Sequence, residues 1–219
     1  MFDAVIFDWD GTLADTREVV VRSFQKVLAE IHCEVNEEFI ERRIGTGAAE
    51  TFREILRVSG RKFDEDDINQ LVTRKVKAQL EFIGKVKLFD GASELLLALH
   101  GNVKLAVASM NNRTVVSSLL TRLNLLSFFN AVITVDDVRH PKPDPEIFLI
   151  AAQQLGCPAE KCVVVEDSVF GIQAAAAAKM RSIAVLTGAY SKEDIEKYNP
   201  DLIVNSLKEK DAIFNFICK

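Results

Sequence analysis

The stretch Val5–Thr16, VIFDWDGTLADT, decides the fold of this chain. The apolar run at its start is typical of a buried β-strand, and it ends at two carboxylates, Asp8 and Asp10, followed at once by Gly11. Ligands of an open α/β sheet bind beyond the carboxyl ends of its strands, which is where both acids lie. Two carboxylates held close together repel each other unless a cation lies between them, and a hard divalent ion such as Mg²⁺ prefers oxygen ligands. For an isolated Asp-x-Asp pair a solvated turn with two surface acids is favoured, and a metal-binding strand end gains its support from the polar residues at the other strand ends.

Short apolar runs alternate with helix-like segments along most of the chain. The predicted strands are Asp3–Phe7, Val103–Ala108, Ala131–Thr134, Cys162–Val165, Ile183–Leu186 and Leu202–Val204. The predicted helices are Ala92–Leu99, Arg113–Leu123, Pro145–Leu155, Val169–Met180 and Leu207–Ile217. Nearly continuous apolar strands suit a parallel sheet that is buried on both faces. The alternation predicts the α/β class, with a doubly wound (Rossmann-like) parallel sheet at its core.

One long segment, residues 15–82, contains no convincing strand and carries charge throughout. Its helix signals include Asn36 before a glutamate-rich first turn and Gly60 where a helix could end. We therefore predict a core formed by residues 1–14 and 83–219, interrupted by a small helical domain of residues 15–82.

Composition narrows the class of function. The 219 residues are 48% hydrophobic, which is enough for a packed core, and the formal net charge of −5 argues against a nucleic-acid partner. The cysteines are scattered without a Cys-x-x-Cys pair, so a zinc site is not expected. A basic leader and a membrane-length apolar run are both lacking, so we expect a cytoplasmic protein with no membrane partner.

Two further strand ends carry polar groups suited to binding phosphate. Ser109 follows the run LAVA, where its hydroxyl could bind a phosphate oxygen or, equally, cap the next helix. Lys142 lies between two prolines in DDVRHPKPDPEIF. Because prolines restrict the loop, a fixed ammonium that neutralises a carboxylate and a phosphate is favoured over an exposed loop lysine.

A second acidic pair, Glu166 and Asp167, follows three valines in CVVVEDSVFGIQAAAAA. A cap on the next helix would explain one acid or Ser168, but not two acids directly after a buried strand, so we favour metal binding. Four strand ends thus supply two acid pairs, a serine and a lysine. This set fits phosphoryl transfer with a carboxylate nucleophile and a metal ion.

These residues resemble the four motifs of the haloacid dehalogenase superfamily of phosphotransferases. The motifs occur in order as DWDGT at 8–12, Ser109, KPDP at 142–145 and EDS at 166–168, and the helical segment is similar to that family's small α-helical cap. The overall pattern looks like that of phosphoglycolate phosphatases and β-phosphoglucomutases.

The resemblance implies a nucleophile and a metal site. Asp8 would attack phosphorus and become an aspartyl-phosphate, and Asp10 would protonate the leaving alcohol and then activate water. Mg²⁺ would be bound by the side chains of Asp8 and Asp167 and by the backbone carbonyl of Asp10, with Glu166 in the second shell or near it.

The resemblance also implies how the phosphoryl group is held. Ser109 and Lys142 would bind it, and Lys142 would also pair with Asp8. The backbone N–H groups of Trp9 and Asp10 would face the transferring oxygens. Positioning and charge neutralisation would then supply most of the catalysis.

Within this family the sequence favours a phosphatase over the alternative, a β-phosphoglucomutase-like phosphomutase. Thr12 after Asp-Gly resembles phosphatases, and Val20 stands where the mutases carry a histidine. The segment RIGTGAAETFREIL, Arg43–Leu56, is also more similar to a phosphoglycolate phosphatase cap. Met110 departs from the asparagine that is more frequent there in phosphoglycolate phosphatases, which leaves the substrate open among phosphoglycolate, a sugar phosphate, a nucleotide and pyrophosphate.

Substrate contacts from the cap are expected at Arg43, Gly45 and Thr46, because a glycine-rich turn can approach the pocket; a solvated Arg43 is the alternative. The expected partner is a small phosphorylated metabolite, and the chain would be a monomer or a dimer. Two other classes of protein fit the sequence less well. A response-regulator receiver is shorter and has no helical insert, and a non-catalytic binding relative would have no reason to retain every catalytic side chain.

Overall fold

A computed structural model of all 219 residues places the six predicted strands in one parallel sheet. These strands are β1 Ala4–Phe7, β4 Lys104–Ser109, β5 Ala131–Thr134, β6 Cys162–Glu166, β7 Arg181–Val185 and β8 Leu202–Val204. Their order across the sheet is β5, β4, β1, β6, β7, β8, so β1 lies at the centre. The α/β doubly wound fold is therefore confirmed.

All five predicted helices of the core are present, with ends that shift by a few residues. They are α5 Ala92–Leu99, α6 Arg113–Arg122, α7 Glu146–Leu155, α8 Val169–Ala177 and α10 Lys210–Cys218. The sequence pattern missed a one-turn helix, α9 Lys192–Glu196, and a two-stranded antiparallel ribbon of β2 Ala14–Asp15 and β3 Lys87–Leu88. Elements this short contain too few residues to show a helical or strand-like hydrophobic periodicity.

The central strand explains the two-layer core. Val5 and Phe7 pack into one apolar layer and Ala4 and Ile6 into the other, because successive side chains of a strand point to opposite faces. All four are fully buried, which is why the strand is continuously apolar rather than alternating.

Residues between the ribbon strands form four helices, α1 Arg17–Glu30, α2 Glu37–Glu41, α3 Ala48–Val58 and α4 Glu65–Phe82. The Asn36 side chain caps α2 by accepting from the Glu38 N–H, and Asp64 and Asp67 form a reciprocal capping box at α4. These helices enclose an apolar cluster of their own, centred on Phe24, Phe52 and Ile68. We refer to α1–α4 as the cap, and the ribbon lies where the chain enters and leaves it. No helix of the chain combines the length and apolar character that a bilayer crossing requires.

Candidate active site

The site forms where the central strands end. β4 and β6 flank β1 in parallel, so the residues that follow all three strands meet at one edge of the sheet. Asp8, Ser109 and Glu166 are each at most 1% exposed there. The structure thus brings together the strand-end residues that the sequence singled out.

Lys142 links two of these strand ends. Its ammonium lies 2.7 Å from Oδ1 of Asp8 and 2.7 Å from Oε1 of Glu166, and it donates a third hydrogen bond to the Ala108 carbonyl at 3.1 Å. Burial alone would lower the pKa of Lys142, but the carboxylates of Asp8 and Glu166 outweigh it and raise that pKa. Lys142 is 1% exposed and fully charged, so the alternative of an exposed loop lysine is wrong.

Asp8 has one oxygen without a partner. Its Oδ2 is buried and accepts no hydrogen bond, although Oδ1 is bound by Lys142. Burial raises the pKa of Asp8 well above its usual value, Lys142 opposes that rise, and Glu166 and Asp167 add to it. A buried anionic oxygen without a donor is costly, and a cation removes that cost.

Asp167 lies close to the Asp8 carboxylate. Carboxylate oxygens of Asp8, Glu166 and Asp167 all lie within 4.8 Å of one another. Burial, together with the nearby Glu166, raises the pKa of Asp167 to about 8, although the Thr12 hydroxyl donates to its Oδ1 at 2.8 Å. Three neighbouring buried acids, one of which has an unpartnered oxygen, with a single lysine beside them fit a divalent cation with oxygen ligands.

Glu166 differs from the other two acids because both of its oxygens already have donors. Oε1 accepts from Lys142, and Oε2 accepts from the backbone N–H groups of Asp167 and Ser168 and from the Ser168 hydroxyl. The helix cap at α8 is Ser168, not Asp167. Glu166 is therefore placed to orient Lys142 and the loop, while Asp8 and Asp167 retain oxygens for a cation.

Asp10 turns toward the end of β4. Ser109 Oγ donates to Asp10 Oδ2 at 3.0 Å, and Asn111 Nδ2 lies 3.1 Å from Oδ1 and 3.4 Å from Oδ2. The alternative of Ser109 as a helix cap is wrong, because Asn112 caps α6 by accepting from the Thr114 N–H. Asn111 was missed by the sequence interpretation, although it lies on the same strand-end loop as Ser109.

Two backbone donors lie free beside these carboxylates. The N–H groups of Trp9 and Asp10 have no acceptor in the protein, whereas the N–H of Gly11 bonds to the Ala14 carbonyl. Gly11 has φ +94°, and a Cβ there would stand 2.3 Å from Asp167 Oδ2. A glycine is thus required for the turn that exposes the two donors and for the close approach of Asp167.

The cap turn lies directly over this edge of the sheet. A Cβ on Gly45 would stand 3.5 Å from the Ser168 hydroxyl, so the turn touches the core. Thr46 is buried and donates to the Arg43 carbonyl at 2.9 Å. Arg43 is paired through two nitrogens with Glu54 and lies over the Phe39 ring, which contradicts a solvated arginine but also commits its charge within the cap.

Lys75 is a second residue that the sequence interpretation missed. It is 4% exposed and lines a cavity of about 30 Å³ together with Asp10, Val20 and Asn111. Its ammonium donates to Gln79 at 2.5 Å, and burial lowers its pKa to about 8. The signal was a lysine on the apolar stripe of α4, in register with Ile68, Leu71 and Ala78.

Direct bonds join the cap to the core at the rim of the site. The Tyr190 hydroxyl donates to the Arg42 carbonyl at 2.5 Å, and the Arg42 guanidinium lies 3.4 Å from Asp194 and over the Tyr190 ring. A cleft of about 690 Å³ between cap and core reaches from Arg43 to Lys142. The cap is therefore held against the core at the rim of this cleft.

Comparisons with known proteins agree with this geometry. Residues 5–185 match the haloacid dehalogenase-like hydrolase family. A fructose-1-phosphate phosphatase of Escherichia coli is 31% identical over 84% of this chain and 96% of its own, and a β-phosphoglucomutase of Bacillus subtilis is 30% identical over 84% of each. Protein SUPPRESSOR OF QUENCHING 1 of Arabidopsis thaliana is 35% identical over 91% of this chain, which spans only 19% of that protein.

The solved structures give the same result. A hydrolase from Pseudomonas syringae superposes with a TM-score of 0.90 at 25% identity, covering 99% of this chain and 100% of its own. The family match covers the strand ends that carry Asp8, Ser109, Lys142 and Asp167. The chain therefore belongs to the haloacid dehalogenase-like hydrolases and is a phosphoric monoester hydrolase of that family.

Proposed function

We propose that this chain is a magnesium-dependent phosphatase that hydrolyses a small phosphomonoester through an aspartyl-phosphate on Asp8. The observation that carries the proposal is the unpartnered Oδ2 of Asp8, a buried carboxylate that is paired with Lys142 through Oδ1 and lies within 4.8 Å of the Asp167 carboxylate. Asp8, Asp167 and the Asp10 carbonyl would hold Mg²⁺. When bound, the ion supplies positive charge that keeps the carboxylates ionised and offsets the charge of the phosphoryl oxygens.

In the first step Asp8 attacks phosphorus and the bond to the leaving oxygen breaks. The free N–H groups of Trp9 and Asp10 would bind phosphoryl oxygens without reorganising. Lys142 and Ser109 would bind them as well, each by redirecting a proton that now donates to a carboxylate or a carbonyl. Asp10 gives its proton to the leaving alcohol as that bond breaks. Charge on three oxygens is thus met by donors that the fold has already placed.

In the second step a water molecule attacks the aspartyl-phosphate. Asp10, now ionised, accepts a proton from this water, and inorganic phosphate leaves with the Asp8 carboxylate restored. The cavity beside Asp10 measures only about 30 Å³, so few water molecules fit next to that carboxylate. We therefore propose that the cap, residues 15–82, opens to admit substrate and closes for the chemistry.

The leaving group would meet the cap side of the site. Lys75 faces that cavity with an ammonium that has a single hydrogen-bond acceptor, so two of its three protons are left for a ligand. Arg43 is neutralised by Glu54 and contributes little further charge. We propose Lys75, together with the Arg43, Gly45 and Thr46 turn, as the surface that meets the alcohol part of the ester.

The test is release of inorganic phosphate from a panel of phosphomonoesters with Mg²⁺ or with EDTA. We expect release that needs Mg²⁺ and is abolished in Asp8→Asn. Asp3→Asn, at the opposite end of the same strand, is the matched control and should retain full activity. Release that survives Asp8→Asn would contradict the aspartyl-phosphate.

The second candidate is a phosphomutase, because one relative of comparable identity is a β-phosphoglucomutase. Val20 places an apolar side chain in the cavity beside Asp10, in a position where the sequence interpretation expects a histidine for the mutase. Interconversion of hexose phosphates without net phosphate release would decide for the mutase.

A further inference from the structure

The carboxylate of Asp10 is held from one side by the loop that follows β4. Ser109 Oγ and Asn111 Nδ2 donate to its two oxygens, and all three residues are at most 7% exposed. Ser109 and Asn111 thus form a bracket on one loop, while Asp10 comes from the loop after β1. The bracket is a direct link between two strand ends.

The orientation of the Asn111 amide is fixed by the backbone. Its Oδ1 accepts from the Asn112 N–H at 2.9 Å, so Nδ2 is the atom that faces Asp10. An amide NH₂ can only donate, and it therefore binds a carboxylate oxygen of Asp10. Asn112 is itself held as the cap of α6, which keeps this loop rigid.

Asn111 also orients the Ser109 hydroxyl. The backbone N–H of Asn111 donates to Ser109 Oγ at 3.0 Å, and the hydroxyl proton of Ser109 is donated in turn to Asp10. Asn111 thus acts on Asp10 twice, directly through its side chain and indirectly through Ser109.

A competing cation, Lys75, lies near Asp10. Lys75 lines the same cavity of about 30 Å³, and its ammonium is close enough for the Asp10 charge to offset part of the burial cost of Lys75. Without a bracket, a carboxylate beside a buried ammonium that has spare protons would form an ion pair with it. That pair would withdraw Asp10 from the phosphoryl side of the site.

We propose that Asn111 is a positioning residue, which holds the Asp10 carboxylate on the Ser109 side of the cavity and away from Lys75. The inference rests on the proposed function, in which Asp10 is the acid and base. Asn111 makes no bond to the reacting atoms, and its effect passes through Asp10.

The experiment compares two leaving groups in Asn111→Ala. An alkyl phosphate needs a proton from Asp10 as its oxygen leaves, whereas p-nitrophenolate leaves without one. General acid–base catalysis contributes roughly 10²- to 10⁴-fold, so we expect kcat for the alkyl ester to fall by at least ~10-fold. The rate of the single-turnover burst of p-nitrophenolate should stay within about threefold of the wild-type rate. KM for both esters should also stay within about threefold of wild type, because ground-state binding is unchanged.

Two further variants separate positioning from packing. Asn111→Asp keeps the size of the side chain and the bond to the Asn112 N–H, but it removes the donor to Asp10, so it should lose the alkyl ester activity as well. Asn112→Ser keeps a capping hydroxyl on the same loop and has no side-chain contact with Asp10, so it should behave as the wild type. Adding Asn111→Ala to Asp10→Ala should cause no further loss, because the two residues act as one unit.

The outcomes are distinct. Equal losses on both esters, or losses that multiply in the double variant, would overturn the positioning role in an otherwise active phosphatase. A wild-type chain that releases no phosphate from either ester would overturn the proposed function, and the role of Asn111 with it.

Discussion

Lys142 Nζ lies 2.7 Å from Asp8 Oδ1, and both side chains are at most 2% exposed. This buried pair joins the loop before α7 to the central strand, and it leaves the second oxygen of Asp8 without a donor. The same contact thus serves the fold, by neutralising an acid, and the site, by holding the nucleophile in one orientation.

Replacing Lys142 with methionine should therefore affect both activity and stability. Loss of one preorganised donor to the phosphoryl oxygens should lower kcat by roughly 10²- to 10³-fold. Removal of one partner from a buried ion pair should lower the free energy of unfolding by about 3–5 kcal/mol, measured by urea denaturation in EDTA. Lys161→Met is the control on an exposed lysine, and equal stabilities of the two variants would contradict the role of the pair.

The space around Asp167 predicts a specific metal-binding defect. A Cβ on Gly188 would stand 2.0 Å from Asp167 Oδ2 and 2.9 Å from its backbone oxygen, so Gly188→Ala must displace that residue. We expect the Mg²⁺ concentration for half-maximal phosphate release to rise at least ~10-fold, because changes to the residues that orient a metal ligand usually weaken metal affinity by at least that factor. Gly84→Ala, where a Cβ would meet nothing within 4 Å, should leave the magnesium titration unchanged.

Lys75 predicts a pH dependence of stability. Burial lowers its pKa from 10.5 to about 8 in the folded chain, so between these pH values the unfolded chain binds more protons than the folded one. Burial of the Lys75 ammonium therefore lowers the free energy of unfolding by about 3 kcal/mol below pH 8. This destabilisation is relieved as the pH rises toward 10.5.

Lys75→Met isolates this contribution. The stability of the wild type should rise relative to Lys75→Met as the pH increases from 8 to 10.5, measured as the difference between their urea denaturation midpoints. A pH-independent difference would show that the buried ammonium does not titrate in this range.

The contact between Tyr190 and Arg42 predicts how firmly the cap is held. Tyr190→Phe removes the hydrogen bond to the Arg42 carbonyl but keeps the ring under the guanidinium. A hydrogen bond contributes about 1 kcal/mol, so the closed cap should lose roughly fivefold in population relative to the open one. Amide hydrogen exchange of residues 43–47 should speed up in Tyr190→Phe and not in Tyr198→Phe, whose hydroxyl makes no hydrogen bond.

Two residues mark the limit of the sequence interpretation. Lys75 stands among other charged residues of α4, and only its register with the apolar stripe distinguishes it. Asn111 follows Ser109 closely, yet nothing in the local pattern shows that its amide reaches Asp10. Both residues lie near Asp10, which is distant from them along the chain. Local periodicity describes neighbouring residues only, so it cannot predict such contacts.

The sequence was enough to predict the parallel sheet, the helical insert and the candidate site residues Asp8, Ser109, Lys142 and Asp167. These follow from local periodicity and from the rule that parallel strands present their carboxyl ends at one edge. Only the tertiary structure decided that Lys142 bridges Asp8 and Glu166, that both oxygens of Glu166 are occupied, and that Asn111 and Lys75 flank Asp10. The physical reason is that hydrogen bonds and ion pairs depend on separations of about 3 Å, which packing sets between residues far apart in the chain.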